Sequence, residues 1–183
     1  MGDKIIKLKG KSFVLSIPEA RILEAVDKVA VALTRDYSDK NPVFVIVLNG
    51  AFMFAADLLR QLHFDYEIDF TKVSSYCGDS STGCITDQLS VTTSLEGRHV
   101  VIIEDMVDSG FTMKYLKEKM ANENPASLEI CVFAIKPGKV AVPDLNVKYV
   151  GMEMEDAFIV GYGFDYDGAG RSYRDIYEII NNA

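Results

Sequence analysis

Short apolar runs, each closed by glycine, proline or a polar cluster, set the rhythm of this chain. Val43-Phe44-Val45-Ile46-Val47-Leu48, Val100-Val101-Ile102-Ile103 and Leu128 to Ile135 are rich in β-branched residues and too short for core helices. Runs of that kind suit strands covered on both faces. Val147 to Val150 is read as a further strand. Between the runs the period becomes helical. After Ser16-Ile17-Pro18-Glu19, which has the form of a capping box, Ile22, Leu23, Val26, Val29, Ala30 and Leu33 give one apolar stripe to about Arg35. A second helix follows the loop Leu48-Asn49-Gly50 and runs to about Leu59. Met113, Leu116 and Met120 mark the buried face of a third.

Other stretches are more polar. Tyr66 to Val73 alternates, with Tyr66, Ile68 and Phe70 opposed to Glu67, Asp69 and Thr71. That predicts a strand whose polar side faces water. Ser74 to Gly83 is Ser, Gly, Asp and Thr with little else, and predicts a surface loop. Ile85 to Thr93 returns as one or two short strands, and Asn122 to Ala126 breaks the pattern at Pro125. Weak alternation before Ile17 predicts a short strand near Ser12 to Leu15; Tyr177, Ile179 and Ile180 predict a last one. The sum is an α/β fold with a mainly parallel central sheet flanked by helices.

Composition narrows the function classes. A length of 183 residues points to one domain, 1–183, and a 49% hydrophobic content supplies its core. A formal net charge of −8 argues against a general nucleic-acid or membrane surface. It leaves anionic small ligands open, because a local site can override the global sign. The first residues carry neither a long apolar run nor a cleavage pattern, so no signal peptide or membrane span is expected. The 3 cysteines, Cys77, Cys84 and Cys131, lack zinc spacing and fit reduced thiols in the cytoplasm. His63 and His99 stand alone and read as surface or packing residues; Glu153, Glu155 and Asp156 read as a solvated acidic patch.

The chemistry concentrates after the run at Val100. Glu104 and Asp105 come where that strand is expected to end, which is where open α/β sheets bind ligands. Asp108-Ser109-Gly110-Phe111-Thr112 then leads into the third helix. Unpaired amides at a helix start, hydroxyls and a glycine that admits close approach together favour a phosphate. Bare carboxylates beside a phosphate repel it unless they hold something else: sugar hydroxyls, or Mg2+ bridging the charges. These residues therefore read either as a site for a phosphorylated sugar or as solvated acids before an ordinary capped helix.

The longer string Val101 to Met113 resembles the 5-phosphoribosyl-1-pyrophosphate (PRPP) signature of type I phosphoribosyltransferases, most closely the hypoxanthine-guanine branch. The resemblance implies that family's fold, with a small hood from roughly 1–15 and 151–183. It implies purine salvage: hypoxanthine, and guanine, react with PRPP to give IMP or GMP and pyrophosphate, with Mg2+. In that frame Glu104 and Asp105 hold the ribose hydroxyls and orient Mg2+. Ser109, Gly110, Phe111 and Thr112 hold the 5′-phosphate, and Asp108 exchanges a proton at purine N7.

Other segments extend the likeness. Leu48-Asn49-Gly50 is similar to the family's pyrophosphate loop, with Asn49 where lysine is usual; that peptide can be cis in the family. Ser75 and Tyr76 resemble the start of the loop that closes over the site. Lys136, at the end of a buried strand, matches the lysine that bonds the purine 6-oxygen; an arginine often follows it in the family, and here only Lys139 does. Phe158 would stack on the base, Ile159 offer backbone groups to its edge, and Asp165 sit near the metal. Arg171 has the family's spacing for pyrophosphate, with Arg174 as competitor. The resemblance implies a homodimer or homotetramer. Two alternatives stay open: a PRPP-sensing regulator that binds nucleic acid, and a xanthine-preferring transferase.

Overall fold

The computed structural model describes residues 4–76 and 84–180, with only the main chain of 75, 76 and 84. In chain order the elements are β1 (Ile5–Leu8), β2 (Lys11–Ile17), α1 (Glu19–Tyr37), β3 (Val43–Val47), α2 (Phe52–Leu59), β4 (Glu67–Tyr76) and β5 (Cys84–Leu89). Then come β6 (His99–Val107), α3 (Phe111–Ala121), β7 (Ser127–Ile135), β8 (Tyr149–Glu153), β9 (Ile159–Val160) and β10 (Ile176–Ile179).

A six-stranded sheet has the order β5-β4-β3-β6-β7-β8 and is parallel except for β5. Its chain order reverses between β3 and β6, the kind of switch point where such sheets bind ligands. One face packs Phe44, Ile46, Val101, Ile103 and Phe133 under α1 and α2. The other packs Val45, Val100, Ile102 and Val132 under α3, whose Met113, Leu116 and Met120 are buried. Each such side chain contributes roughly 1.5–3 kcal/mol. The second sheet, β1-β2-β10-β9, is antiparallel and joins the two ends of the chain around Phe13, Val160 and Tyr177.

Several boundaries differ from the sequence expectation. Ser16 does not cap α1: it lies in β2, opposite the register slip between Ile176 and Tyr177. Pro18 takes the N-cap position, and the Glu19 amide donates to Asp175 Oδ1 at 2.9 Å. The strand expected at Val147–Val150 is displaced to β8, because pairing with Cys131 to Ile135 sets its register. Ser74 to Tyr76 continue β4 in a ladder with β5 instead of opening a loop; the rest of that expected loop, 77–83, lies outside the described residues.

β4 also reverses its expected faces. Asp69 and Thr71 are buried, whereas Ile68 and Phe70 are 44% and 41% exposed. The cause is local bonding on one face and absent cover on the other. The Asp69 carboxylate accepts the amides of Phe70, Thr92 and Thr93 at 2.6–2.8 Å, and Thr71 Oγ1 donates to Leu89 O at 3.0 Å. On the opposite face the helices pack over β3, β6, β7 and β8 and leave β4 bare. Among the described residues no helix is long and apolar enough to cross a membrane.

Candidate active site

β6 outruns one neighbour and not the other. Its ladder with β3 stops at Ile46↔Ile103, while its ladder with β7 continues to Val107↔Ile135. Glu104 and Asp105 therefore lie inside the strand rather than beyond its end, beside the gap where β3 has turned away. The Glu104 side chain is buried and its Oε1 accepts the Asp105 amide at 3.0 Å; Asp105 Oδ1 accepts the Met106 amide at 2.7 Å. Burial, and for Glu104 the neighbouring charge of Asp105, push both carboxyls above the usual range. Hydrogen bonds and the Arg171 guanidinium pull Asp105 partly back.

The gap is floored by main chain. β3 ends in the turn Leu48-Asn49-Gly50, whose Leu48–Asn49 peptide is cis. A Cβ on Gly50 would overlap the Asp105 carboxylate, and one on Gly163 would overlap the Gly50 carbonyl. Glycine at both places is what allows the turn, the acids and the Gly161–Gly163 loop to stack in contact. Arg171 joins them: Nη1 donates to Gly163 O and Nη2 meets Asp165 Oδ1, each at 2.5 Å. Asp165 Oδ2 also accepts the Gly168 amide at 2.7 Å. Arg174 is elsewhere, paired with Glu19 at the start of α1 at 2.7 Å.

Beyond Val107 the chain swings through exposed Asp108 and Ser109 to Gly110, which caps α3 in the left-handed region at φ 88°. No side chain caps this helix start, so its first amides remain available. Glu104, Asp105, Asp108, Ser109, Gly110 and Thr112 line a cavity of about 250 Å³. The arrangement suits a phosphate at one end and a diol at the other. Phe111 points outward, 57% exposed, so it offers its main chain to the cradle.

Lys136 is brought alongside by main-chain bonding. Its amide donates to Val107 O at 3.0 Å, and its ammonium is buried against Asp156 Oδ1 at 3.1 Å and Ala157 O at 3.0 Å. Asp156 is thus engaged rather than simply solvated, because Lys139 reaches the same oxygen at 2.8 Å. Next along the chain, Phe158 is 48% exposed, with Phe13 and Tyr166 supporting its ring at 6.5 and 5.7 Å. Ile159 belongs to β9, the edge of the small sheet, where one side of the main chain has no strand partner among the described residues. Ser75 and Tyr76 end β4 at the same carboxyl edge of the main sheet as the site; their side chains lie outside the described residues.

The structure thus stacks residues 48–50, 105, 163, 165 and 171 against one another beside the cavity of residues 104–112, and sets Lys136 next to that cavity by its bond to Val107 O and next to Phe158 by its bond to Ala157 O. Sequence reading missed Gly163 and the Lys139–Asp156 pair. The positive φ of Gly163 has no sequence signature, and the pair joins residues far apart in the chain. For a metal, the described residues form no cluster of three His, Cys, Asp or Glu. Glu104 and Asp105 nonetheless supply two hard oxygen donors with raised proton affinity and no cation in direct contact among the described groups, a set that suits Mg2+.

Comparison with known proteins agrees with this geometry. Residues 17–167 match the family described as phosphoribosyl transferase domain. The chain is 41% identical over 152 residues to a hypoxanthine-guanine-xanthine phosphoribosyltransferase of Tritrichomonas foetus, covering 82% of each. It is 41% identical over 165 residues to a hypoxanthine-guanine phosphoribosyltransferase of Dictyostelium discoideum, covering 86% of this chain and 88% of that one. A crystal structure of a hypoxanthine-guanine phosphoribosyltransferase from Bacillus anthracis superposes with a TM-score of 0.86 at 33% identity, covering 97% of this chain and 100% of that one.

Proposed function

The chain belongs to the phosphoribosyltransferase family, and from that premise we propose that it transfers the 5-phosphoribosyl group of PRPP to hypoxanthine and guanine in purine salvage. Nitrogen N9 of the base bonds to C1 of the ribose as the C1–O bond to pyrophosphate breaks, giving IMP or GMP. One observation carries the reading: the Lys136 main chain is bonded to Val107 at the end of β6 while its ammonium is held at Ala157 beside Phe158, which would let a 6-oxopurine lie next to a ribose 5-phosphate.

Each group has a task that its surroundings support. The open amides at Gly110, Phe111 and Thr112, with the Ser109 and Thr112 hydroxyls, bind the 5′-phosphate. Glu104 and Asp105 accept the ribose hydroxyls and would hold Mg2+. When bound, the ion neutralises the leaving pyrophosphate as positive charge grows on the sugar. The turn Leu48-Asn49-Gly50 receives the pyrophosphate through the amides of Asn49 and Gly50, the Leu48 amide being bonded to Thr71 O at 2.8 Å, together with Arg171; Asp165 orients Arg171 and would add a carboxylate for the metal. Asp108 takes the proton that leaves N7. Lys136 donates to the base oxygen, which favours a 6-oxopurine over adenine, whose amino group would face a like donor. Phe158 stacks on the base, Ile159 lends main-chain groups to its edge, and Ser75 and Tyr76 close the site against water.

The chain works as one phosphoribosyltransferase unit, with the small sheet as its hood, in the cytoplasm. A second copy covers Ile68 and Phe70, the bare apolar stripe of β4, as part of a homodimer or homotetramer. The deciding experiment is a nucleotide-forming assay with PRPP, Mg2+ and, in turn, hypoxanthine, guanine, xanthine and adenine. Product from the first two and none from adenine is expected. No nucleotide from any base, or a preference for adenine, would overturn the proposal.

A further inference from the structure

Purine O6 and N7 are neighbours on one edge of the base, and the groups assigned to them are joined in this protein by a chain of charges. Lys136 has three N–H donors. Two are taken, by Asp156 Oδ1 and by Ala157 O, which leaves one for the base. Lys139 donates to that same Asp156 oxygen at 2.8 Å and lies 3.9 Å from Asp108 Oδ2. The sequence Lys136–Asp156–Lys139–Asp108 is therefore a continuous alternation of sign, running from the 6-oxo side to the N7 side.

We propose that Lys139 and Asp156 are positioning residues for the purine: together they hold the Lys136 ammonium in place so that its remaining donor meets the base oxygen, and hold Asp108 beside it. The inference rests on the purine-transfer reading above. Its physical basis is an asymmetry of burial. The Lys136 side chain is 8% exposed, and Asp156 is the only carboxylate bonded to it among the described residues. Without Asp156 this buried ammonium keeps a single carbonyl and turns to whatever acceptor it finds. Lys139 and Asp156 themselves are 41% and 56% exposed, so solvent screens their attraction and the effect is moderate. Lys139 follows Lys136 across the short Pro137–Lys139 helical turn, in which the Lys139 amide donates to Lys136 O at 2.9 Å and fixes their spacing.

The test uses the full chain and the variants Lys139→Gln, Lys139→Arg, Asp156→Asn and the double variant Lys139→Gln/Asp156→Asn. Steady-state rates are measured against hypoxanthine at saturating PRPP and the reverse, and inhibition by unsubstituted purine, which lacks an oxygen at C6, is measured beside them. Nucleotide formation by the unaltered protein checks the underlying reading separately. The glutamine and asparagine variants should each lose about fivefold in kcat/KM for hypoxanthine, with the KM for PRPP held within about twofold. Inhibition by unsubstituted purine should stay level, Lys139→Arg should restore the rate, and the double variant should be no worse than either single one, as for members of one network. The proposal is overturned if hypoxanthine kinetics do not change, if PRPP and hypoxanthine suffer equally, if purine lacking the oxygen is weakened as much, or if the two losses multiply.

Discussion

Glu104→Gln should make the protein more stable and a much poorer enzyme. Glu104 is buried beside Asp105, and both carboxyls are pushed above their ordinary range, Glu104 by burial first and by Asp105 second. A carboxyl raised on folding means that the folded protein binds more protons than the unfolded chain between the two values. Stability therefore falls as pH climbs from the ordinary glutamate value through that window, and stays low above it. The glutamine keeps an oxygen for the Asp105 amide, now held at 3.0 Å, and replaces a repelling charge with an N–H donor facing Asp105. Relief of a like-charge contact plus one such bond contributes about 1–2 kcal/mol at neutral pH. For a chain of this size that is a Tm higher by roughly 2–8 °C. The assay is thermal unfolding of both proteins from about pH 5 to about pH 8, where the gap should narrow towards acid. With one acceptor for the ribose diol gone, kcat/KM for PRPP should fall by about ten- to a hundredfold. A variant that melts below the parent at neutral pH, or a gap indifferent to pH, would refute the electrostatic account of this pair.

Further predictions concern other parts of the site and its scaffold. Asp108→Asn should lower kcat far more than it weakens PRPP binding; unchanged turnover would remove Asp108 from the chemistry. Asp69 is raised by burial but pulled down further by the amides of Thr93, Phe70 and Thr92, to about 2 from 3.8. Its stabilisation of about 2 kcal/mol is therefore full above about pH 4 and lost towards pH 2, so Asp69→Asn should destabilise at neutral pH and not at pH 2 in denaturant titrations. Gly163→Ala meets both a left-handed φ of 100° and the Gly50 carbonyl, and should raise the KM for PRPP by about tenfold or more while leaving hypoxanthine binding near normal. Phe70→Lys should shift the protein to monomer in sedimentation; an unchanged assembly would take β4 out of the contact.

What the sequence made legible was whatever a short window encodes. The runs at Val43, Val100 and Leu128 became β3, β6 and β7, and Met113, Leu116 and Met120 turned inward as spaced, because period and burial are read from neighbours along the chain. Residues 104–112, which line the cavity before α3, are contiguous, so a short window was enough to group them. Misreadings arose where a distant partner decides. Ser16 has the form of a cap, yet β10 claims its stretch of chain and Asp175 supplies the bond to α1. Asp69 and Thr71 look solvent-facing until Thr92, Thr93 and Leu89 are seen to meet them. Alternation reports that two faces differ; it does not say which of them the rest of the protein will cover. Spacing favoured Arg171 and left Arg174 as its competitor; in the fold Arg171 bonds the Gly163 carbonyl and Arg174 pairs with Glu19, contacts made by residues distant in the chain.

The small sheet carries a consequence for how the protein is made. β2 is synthesised early but pairs with β10, and Phe158 sits just before β9, whose one strand partner among the described residues is β10. On the ribosome, residues 104–112 have their strand and helix neighbours well before the last segment emerges. Phe158 and β9 must wait for it, with the β1–β2 hairpin left unmatched until then. On the proposed reading, a chain stalled or clipped ahead of Ile176 would recognise the sugar donor and fail to seat its acceptor.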